Sequence, residues 1–265
     1  MATSKTSSLC RCRRSSASTS SAASPALGDG ASKFKIGDRV MTFTEELEAF
    51  AEYKVLDEGL LARVPDELSD EQAMTLPIPA LTCWQALHTP GEMKAGMHVF
   101  IQGASGLVGA FAIQVAKHFG CFVSATASGK NKEFVMGLGA DQFIDYETQQ
   151  FEDVVKDVDL ILDCILLGGS MNITDRSWAV LKEGGAIVSV ADPAILSNVP
   201  SGKRGFFPRI VPDASMLEHI GRVMAAGKTQ AKVAKIFPRN ELVEAMELNK
   251  KGGLTGRIMT DFSHS

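Results

Sequence analysis

The sequence is poor in cysteine, and its five cysteines are scattered through the chain: Cys10, Cys12, Cys83, Cys121 and Cys164. Their number is odd, and three of them lie in apolar segments, where a free cysteine behaves as a small hydrophobic residue. The first two lack the spacing and the partner ligands of a zinc site. This usage favours a reducing compartment, and we expect a cytoplasmic location.

Long apolar runs and an excess of positive charge are also absent. No run approaches the about 18 residues that a membrane-spanning helix needs. The net charge is -4 and no long basic stripe occurs, so neither nucleic acid nor a membrane is an expected partner. With 265 residues, 45% of them hydrophobic and 22% charged, the chain has the composition of a globular protein with one large domain or two.

Residues 1–32 lack any acidic residue before Asp29 and consist largely of serine, alanine and threonine, with a cluster of arginines at Arg11, Arg13 and Arg14. Such a segment cannot bury enough apolar surface to order itself. We therefore expect a disordered tail or a targeting segment over 1–32. The composition is compatible with an organellar transit peptide, with a disordered tail, or with a wrongly joined first exon.

The rest of the chain is organised around the stretch His98–Gly120. Val99–Ile101 has the composition of a buried strand, Gly103–Gly109 is a glycine turn, and the apolar helix that follows keeps its polar residues on one strip. Strand, glycine turn and helix in this order are typical of the first unit of a nucleotide-binding fold, in which the helix N-terminus binds a diphosphate. A tight strand–helix turn without a ligand is the alternative.

The same pattern recurs after Gly120. Four more nearly apolar strands are predicted, separated by helices: Cys121–Ala127, Gln142–Tyr146, Val158–Ile165 and Ala186–Val190. Strands this apolar indicate a parallel sheet that helices cover on both faces. The predicted fold class is α/β, with a Rossmann-type doubly wound sheet over residues 78–205. Residues 33–77 and 206–265 are predicted to form a smaller β-domain.

The end of the second strand of this predicted sheet decides which dinucleotide fits. An NAD-binding fold places an Asp or Glu about 20 residues past the glycine turn, on the ribose hydroxyls. Here Ala127–Lys132 contains no carboxylate but holds Ser128, Lys130 and Lys132. A hydroxyl and two ammonium groups suit a 2′-phosphate, and Tyr146 ends the next strand, so NADPH is predicted over NADH. Alternatively, the lysines are only solvated.

Several spaced motifs together resemble one family. They are Gly37–Val40, Phe50–Tyr53, the Leu-Pro-x-Pro-x-Leu-Thr segment that begins at Leu76, Gly103–Gly109, Ser128 with Lys132, Leu138–Asp141 and Asp145–Tyr146. Over about Lys33 to Phe262 the chain resembles the zinc-independent quinone oxidoreductases and enone reductases of the medium-chain dehydrogenase/reductase superfamily.

The resemblance implies a GroES-like catalytic domain, a Rossmann domain that binds NADPH, and hydride transfer to the double bond of α,β-unsaturated carbonyls or to quinones. It implies that the diphosphate lies on the glycine turn and helix start, at Ala104, Ser105, Gly106, Leu107, Val108 and Gly109. It places Ser128, Lys132 and Tyr146 around the 2′-phosphate. Thr82 would lie near the nicotinamide ribose, or would instead be an N-cap or a buried hydroxyl of its helix.

The chain also departs from the family. Zinc-dependent relatives carry closely spaced cysteines and a catalytic cysteine just before the segment matching Leu81–Thr82, and neither occurs here, so no metal is expected. Several strands precede the Lys35–Val40 motif in the family, so the GroES-like domain is expected to be shortened. We therefore assign no catalytic side chain. A non-catalytic dinucleotide-binding protein or truncated inactive homologue is the alternative, and a homodimer is expected by analogy only.

Overall fold

A computed structural model describes residues 7–16, 19–45, 50–165, 173–227, 232–251 and 254–262. The chain forms two compact units, the first made of Met1–Leu81 and Val211–Ser265 and the second of Thr82–Ile210. Among the helices described, none has the length and apolar character to cross a membrane.

The strands are β1 Ser7–Ser16, β2 Thr19–Leu27, β3 Arg39–Phe43, β4 Tyr53–Asp57, β5 Ala62–Arg63, β6 His98–Gln102, β7 Phe122–Ala127, β8 Gln142–Asp145, β9 Val158–Asp163, β10 Leu181–Ser189, β11 Arg204–Phe206, β12 Val233–Pro238 and β13 Arg257–Asp261. The helices are α1 Asp70–Thr75, α2 Pro77–His88, α3 Leu107–His118, α4 Lys132–Gly137, α5 Phe151–Val154, α6 Ile173–Trp178, α7 Ala214–Ala226 and α8 Leu242–Lys251.

The second unit is built on a six-stranded parallel sheet in the order β11-β10-β9-β6-β7-β8. If the strands are renumbered along the chain, with β6 as strand 1 and β11 as strand 6, the order read from the β8 edge is 3-2-1-4-5-6. This is the strand order of dinucleotide-binding folds. The central strands are apolar because both of their faces are covered, and Val99, Phe100 and Ile101 are fully buried. The predicted Rossmann fold is confirmed.

One face of this sheet carries a core that joins strands to the helices after β8 and β9. Four strands contribute to this core through Phe100, Ile144, Ile161 and Ile187, and Phe151 of α5 and Trp178 of α6 belong to the same cluster. β10 begins five residues earlier than its predicted start at Ala186. The sequence also predicts a helix over Met171–Leu181, and the structure has α6 over Ile173–Trp178, with residues 171–172 outside the described residues.

The first unit has a seven-stranded sheet in the order β12-β13-β1-β2-β3-β5, with β4 also paired to β1. The sequence predicts a disordered tail or a targeting segment over 1–32, whereas the structure has two strands there: β1 and β2 pair antiparallel from Ser8↔Leu27 to Ser16↔Thr19. Along its other edge β1 pairs with β4 and with β13. Main-chain groups form these ladders, so a segment of small polar residues can join a sheet that other strands already provide.

Two helices follow β5 in the chain. Ser69 and Gln72 have the spacing of a capping box, with Ser69 as the N-cap, and the structure confirms it. The Ser69 hydroxyl accepts from the Gln72 N–H at 3.2 Å, and the Gln72 side chain accepts from the Ser69 N–H at 2.9 Å. The prolines of Leu76–Pro79 predict an interruption and then a helix from Ala80 to His88, whereas α2 already starts at Pro77. Proline is compatible with a first helical position, where its missing N–H would have no helical acceptor.

Candidate functional site

The glycine turn lies between β6 and α3, at the carboxyl edge of the parallel sheet. Gly103 has a φ of 78°, a left-handed conformation that only glycine adopts without strain. Its carbonyl accepts from the Gly106 N–H at 3.0 Å, which closes the turn. The Ala104 N–H donates to the Thr126 carbonyl at 3.0 Å, which fastens the turn to β7.

Gly106 and Gly109 place no side chain on the turn or on the start of α3. We call this backbone, from Gly103 to Gly109, the glycine cradle. A Cβ on Gly109 would lie 2.4 Å from the Gly103 carbonyl oxygen, so glycine lets α3 pack directly on the turn. Gly106 is exposed and is the N-cap of α3, with no side-chain cap bond. The N–H groups of Leu107 and Val108 have no helical acceptor and lie at the positive end of the helix dipole. This backbone fits the diphosphate of a dinucleotide.

The segment after β9 lies against this turn. A Cβ on Gly103 would be 3.2 Å from the Cys164 carbonyl oxygen, and the Cys164 N–H donates to the Gln102 carbonyl at 3.1 Å. The Asp163 carboxylate holds the segment in place, because it accepts from the Ile165 N–H at 3.0 Å and from the Ser189 hydroxyl at 2.8 Å. Burial raises the pKa of Asp163, and the charge of nearby Asp192 adds to the rise.

The strand order of the sheet reverses between the neighbouring strands β6 and β9. Ligands of open α/β sheets bind outside the carboxyl ends of the strands at such a reversal. Both the glycine turn after β6 and the segment after β9 stand at this point. The structure thus brings the predicted diphosphate residues, Ala104 to Gly109, to the expected edge of the sheet.

The residues predicted around a 2′-phosphate lie where β7 and β8 end. Ser128 is buried, and its hydroxyl oxygen accepts from the Asn131 side-chain amide at 3.0 Å. Lys132 is exposed at the first position of α4, and its N–H donates to the Gly129 carbonyl. Tyr146 is 57% exposed, and its N–H donates to the Ala127 carbonyl at 3.3 Å. The turn and the tyrosine are neighbours, and their contact with a phosphate stays a prediction.

Sequence reasoning missed a carboxylate at this place. Asp145 is in register with Ala127, and its side chain lies on the turn after β7: a Cβ on Gly129 would be 2.5 Å from Asp145 Oδ2. The rule for NAD-binding folds seeks an acidic residue in the chain just after β7, whereas Asp145 comes from the neighbouring strand β8. The predicted parallel sheet could have indicated it, because the ends of adjacent parallel strands meet at one edge of the sheet.

Thr82 lies in α2 with 6% of its surface exposed, and its role near a nicotinamide ribose stays a prediction. In the part of the chain that the structure describes, no three His, Cys, Asp or Glu side chains are grouped to hold a metal ion. Burial raises the pKa of the Cys83 and Cys164 thiols well above the ordinary value, so both stay protonated at neutral pH.

Comparisons with known proteins agree with this geometry. The family model described as zinc-binding dehydrogenase matches residues 138–259. The chain is 27% identical over 253 residues to the chloroplast envelope quinone oxidoreductase homolog of Arabidopsis thaliana, across 89% of this chain and 76% of that protein. It is 28% identical over 228 residues to an NADPH-dependent alkenal/one oxidoreductase, chloroplastic, of the same plant, across 84% of this chain and 55% of that protein.

Among solved structures, the quinone oxidoreductase from Coxiella burnetii matches with a TM-score of 0.83 and 27% identity. The match covers 97% of this chain and 90% of that chain. The chain spans about three quarters of the length of the quinone oxidoreductase homolog and about half of the length of the alkenal/one oxidoreductase.

Proposed function

We infer that this chain, which belongs to the medium-chain dehydrogenase/reductase superfamily, is an NADPH-dependent reductase of α,β-unsaturated carbonyls or quinones. The observation that carries the proposal is the glycine cradle at the reversal of a 3-2-1-4-5-6 sheet. The names of the relatives, a quinone oxidoreductase homolog and an alkenal/one oxidoreductase, support the substrate class.

The residues of the second unit would hold the cofactor in two places. The N–H groups at the start of α3 would bind the diphosphate, and Gly106 would let it approach the backbone. Ser128, Lys132 and Tyr146 would surround the 2′-phosphate, with Lys132 supplying a charge-assisted hydrogen bond. Asp163 would keep the segment after β9 beside the turn.

When bound, NADPH supplies a hydride from C4 of its nicotinamide, and the protein supplies position and electrostatics. Reduction of an enone then adds that hydride to the β-carbon and a proton, from water or a hydroxyl, to the neighbouring carbon. We propose no metal in this reaction and assign the proton to no side chain. The chloroplast names of two relatives support an organellar location, and we propose a homodimer by analogy with the superfamily.

Stopped-flow mixing of the protein and NADPH with a panel of enones and quinones tests the proposal. NADPH absorbance at 340 nm should fall in the presence of at least one acceptor and stay constant without protein. NADPH binding with no oxidation by any acceptor would favour a non-catalytic dinucleotide-binding protein. Absence of binding would contradict the proposed cofactor itself.

A further inference from the structure

A carboxylate from β8 stands on the turn that would hold the 2′-phosphate. Asp145 and Ala127 are register partners at the ends of β8 and β7. The position of a Cβ on Gly129 is 2.5 Å from Asp145 Oδ2 and 3.3 Å from its Cγ. Gly129 is therefore the residue that lets this carboxylate lie over the turn, since any side chain there would displace it.

Hydrogen bonds with the residues that follow β8 hold Asp145 in place. Its Oδ1 accepts from the Glu147 N–H at 3.1 Å, and its N–H donates to the Gln149 side chain at 3.1 Å. Its carbonyl accepts from the Gln149 N–H at 2.8 Å. Among the described residues no donor reaches Oδ2, so this oxygen, on the Gly129 side, is available to a ligand.

The charges around this oxygen are mixed. Lys130 and Lys132 are exposed on the turn and at the start of α4, Glu133 follows Lys132 and is exposed, and Glu147 is exposed two residues after Asp145. A 2′-phosphate here would be attracted by the lysines and repelled by Asp145. A ribose 2′-hydroxyl would instead donate to the carboxylate, as it does to the acidic residue of NAD-binding folds.

We propose that Asp145 is a cofactor-specificity residue, which weakens the preference for a 2′-phosphate that the turn lysines create. The inference rests on the proposed function, because it takes the turn after β7 as the place of the adenosine ribose. It gives the chain measurable affinity for both NADPH and NADH. It also explains why Gly129, whose backbone conformation needs no glycine, has no side chain.

The test measures binding of 2′-phospho-ADP-ribose and of ADP-ribose by isothermal titration calorimetry, with no turnover involved. The ratio of the two dissociation constants is the readout. Asp145→Asn should shift this ratio toward the phosphorylated ligand on the order of three- to tenfold, the size expected for one charge near an exposed phosphate. Gly129→Ala should shift it in the same direction by less, because it moves the carboxylate without removing it.

Glu147→Gln is the matched control, since it removes an exposed carboxylate two residues away and should leave the ratio within twofold. An unchanged ratio in Asp145→Asn, or an equal shift in Glu147→Gln, would overturn the role of Asp145 and leave the proposed function standing. Failure of the wild-type protein to bind either ligand would contradict the proposed function and this role together. Circular dichroism of each variant separates a change of binding from a loss of fold.

Discussion

Replacing Gly109 with alanine tests the close packing that creates the cradle. The new Cβ would lie 2.4 Å from the Gly103 carbonyl oxygen and 2.8 Å from the Ala104 Cα, whereas real Cβ contacts are essentially never shorter than 3.0 Å. Both neighbours are backbone, so α3 and the turn must move apart. Such overpacking costs about 1–3 kcal/mol, which exceeds the roughly 1 kcal/mol that alanine gains over glycine in a helix.

Gly137→Ala is the matched control. Gly137 is also helical, and nothing lies within 4 Å of its added Cβ, so this variant should gain up to about 1 kcal/mol. Both tryptophans, Trp84 and Trp178, belong to the second unit, so urea unfolding followed by their fluorescence reports on that unit. Gly109→Ala should lower its free energy of unfolding and weaken ADP-ribose binding. Wild-type stability and affinity in Gly109→Ala would refute the cradle.

Three further predictions concern side chains of the same unit. Lys132→Ala should weaken NADPH binding about ten- to hundredfold, because it removes a charge-assisted hydrogen bond worth roughly 1.5–3 kcal/mol. In the same fluorescence titration NADH binding should stay unchanged. An equal loss of affinity for both cofactors would contradict the placement of Lys132 at the 2′-phosphate. Burial lowers the pKa of His98, so at this residue the folded state binds fewer protons than the unfolded state. The free energy of unfolding should therefore fall as the pH drops below about 6.5. His98→Gln should flatten this pH dependence, measured by urea unfolding. Asp163→Ala leaves two donors without their acceptor and should cost about 1–3 kcal/mol by the same assay, whereas a stability equal to wild type would show that the segment after β9 needs no anchor.

The sheet of the second unit was predictable because its strands are apolar over their whole length. Segments such as Val99–Ile101 can be buried on both faces only in a parallel sheet between helices, and glycine turns and helix patterns separate them. The glycine turn was predictable for the same reason, since its strand and helix are both visible in the sequence. Its position at the strand reversal then follows from the topology.

β1 and β2 were not predictable from composition. The serines and arginines of Ser7–Ser16 give neither an apolar period nor a turn signal. The strand gains its partners from β4 and β13, which come later in the chain. A rule based on side-chain burial does not count the main-chain bonds of an antiparallel ladder. Long-range pairing therefore decided the structure of this segment.

The Asp145–Gly129 contact was missed for a related reason. The rule for cofactor choice reads a spacing along one strand and its turn, and by that rule the site has no carboxylate. The contact joins the ends of two strands, and it depends on a register that only the folded sheet defines. Composition predicts a phosphate turn at these residues, but the balance of charge over the turn is a property of the tertiary structure.

The most direct measurement of the central claim follows the hydride itself. The protein is incubated with NADPH that carries deuterium on both positions of nicotinamide C4 and with an alkyl vinyl ketone, and the product is analysed by mass spectrometry and NMR. The proposed function predicts a saturated ketone with one deuterium, located on the β-carbon. A saturated product without deuterium at that carbon would contradict it, as would a failure to reduce this ketone and every other enone and quinone of the panel.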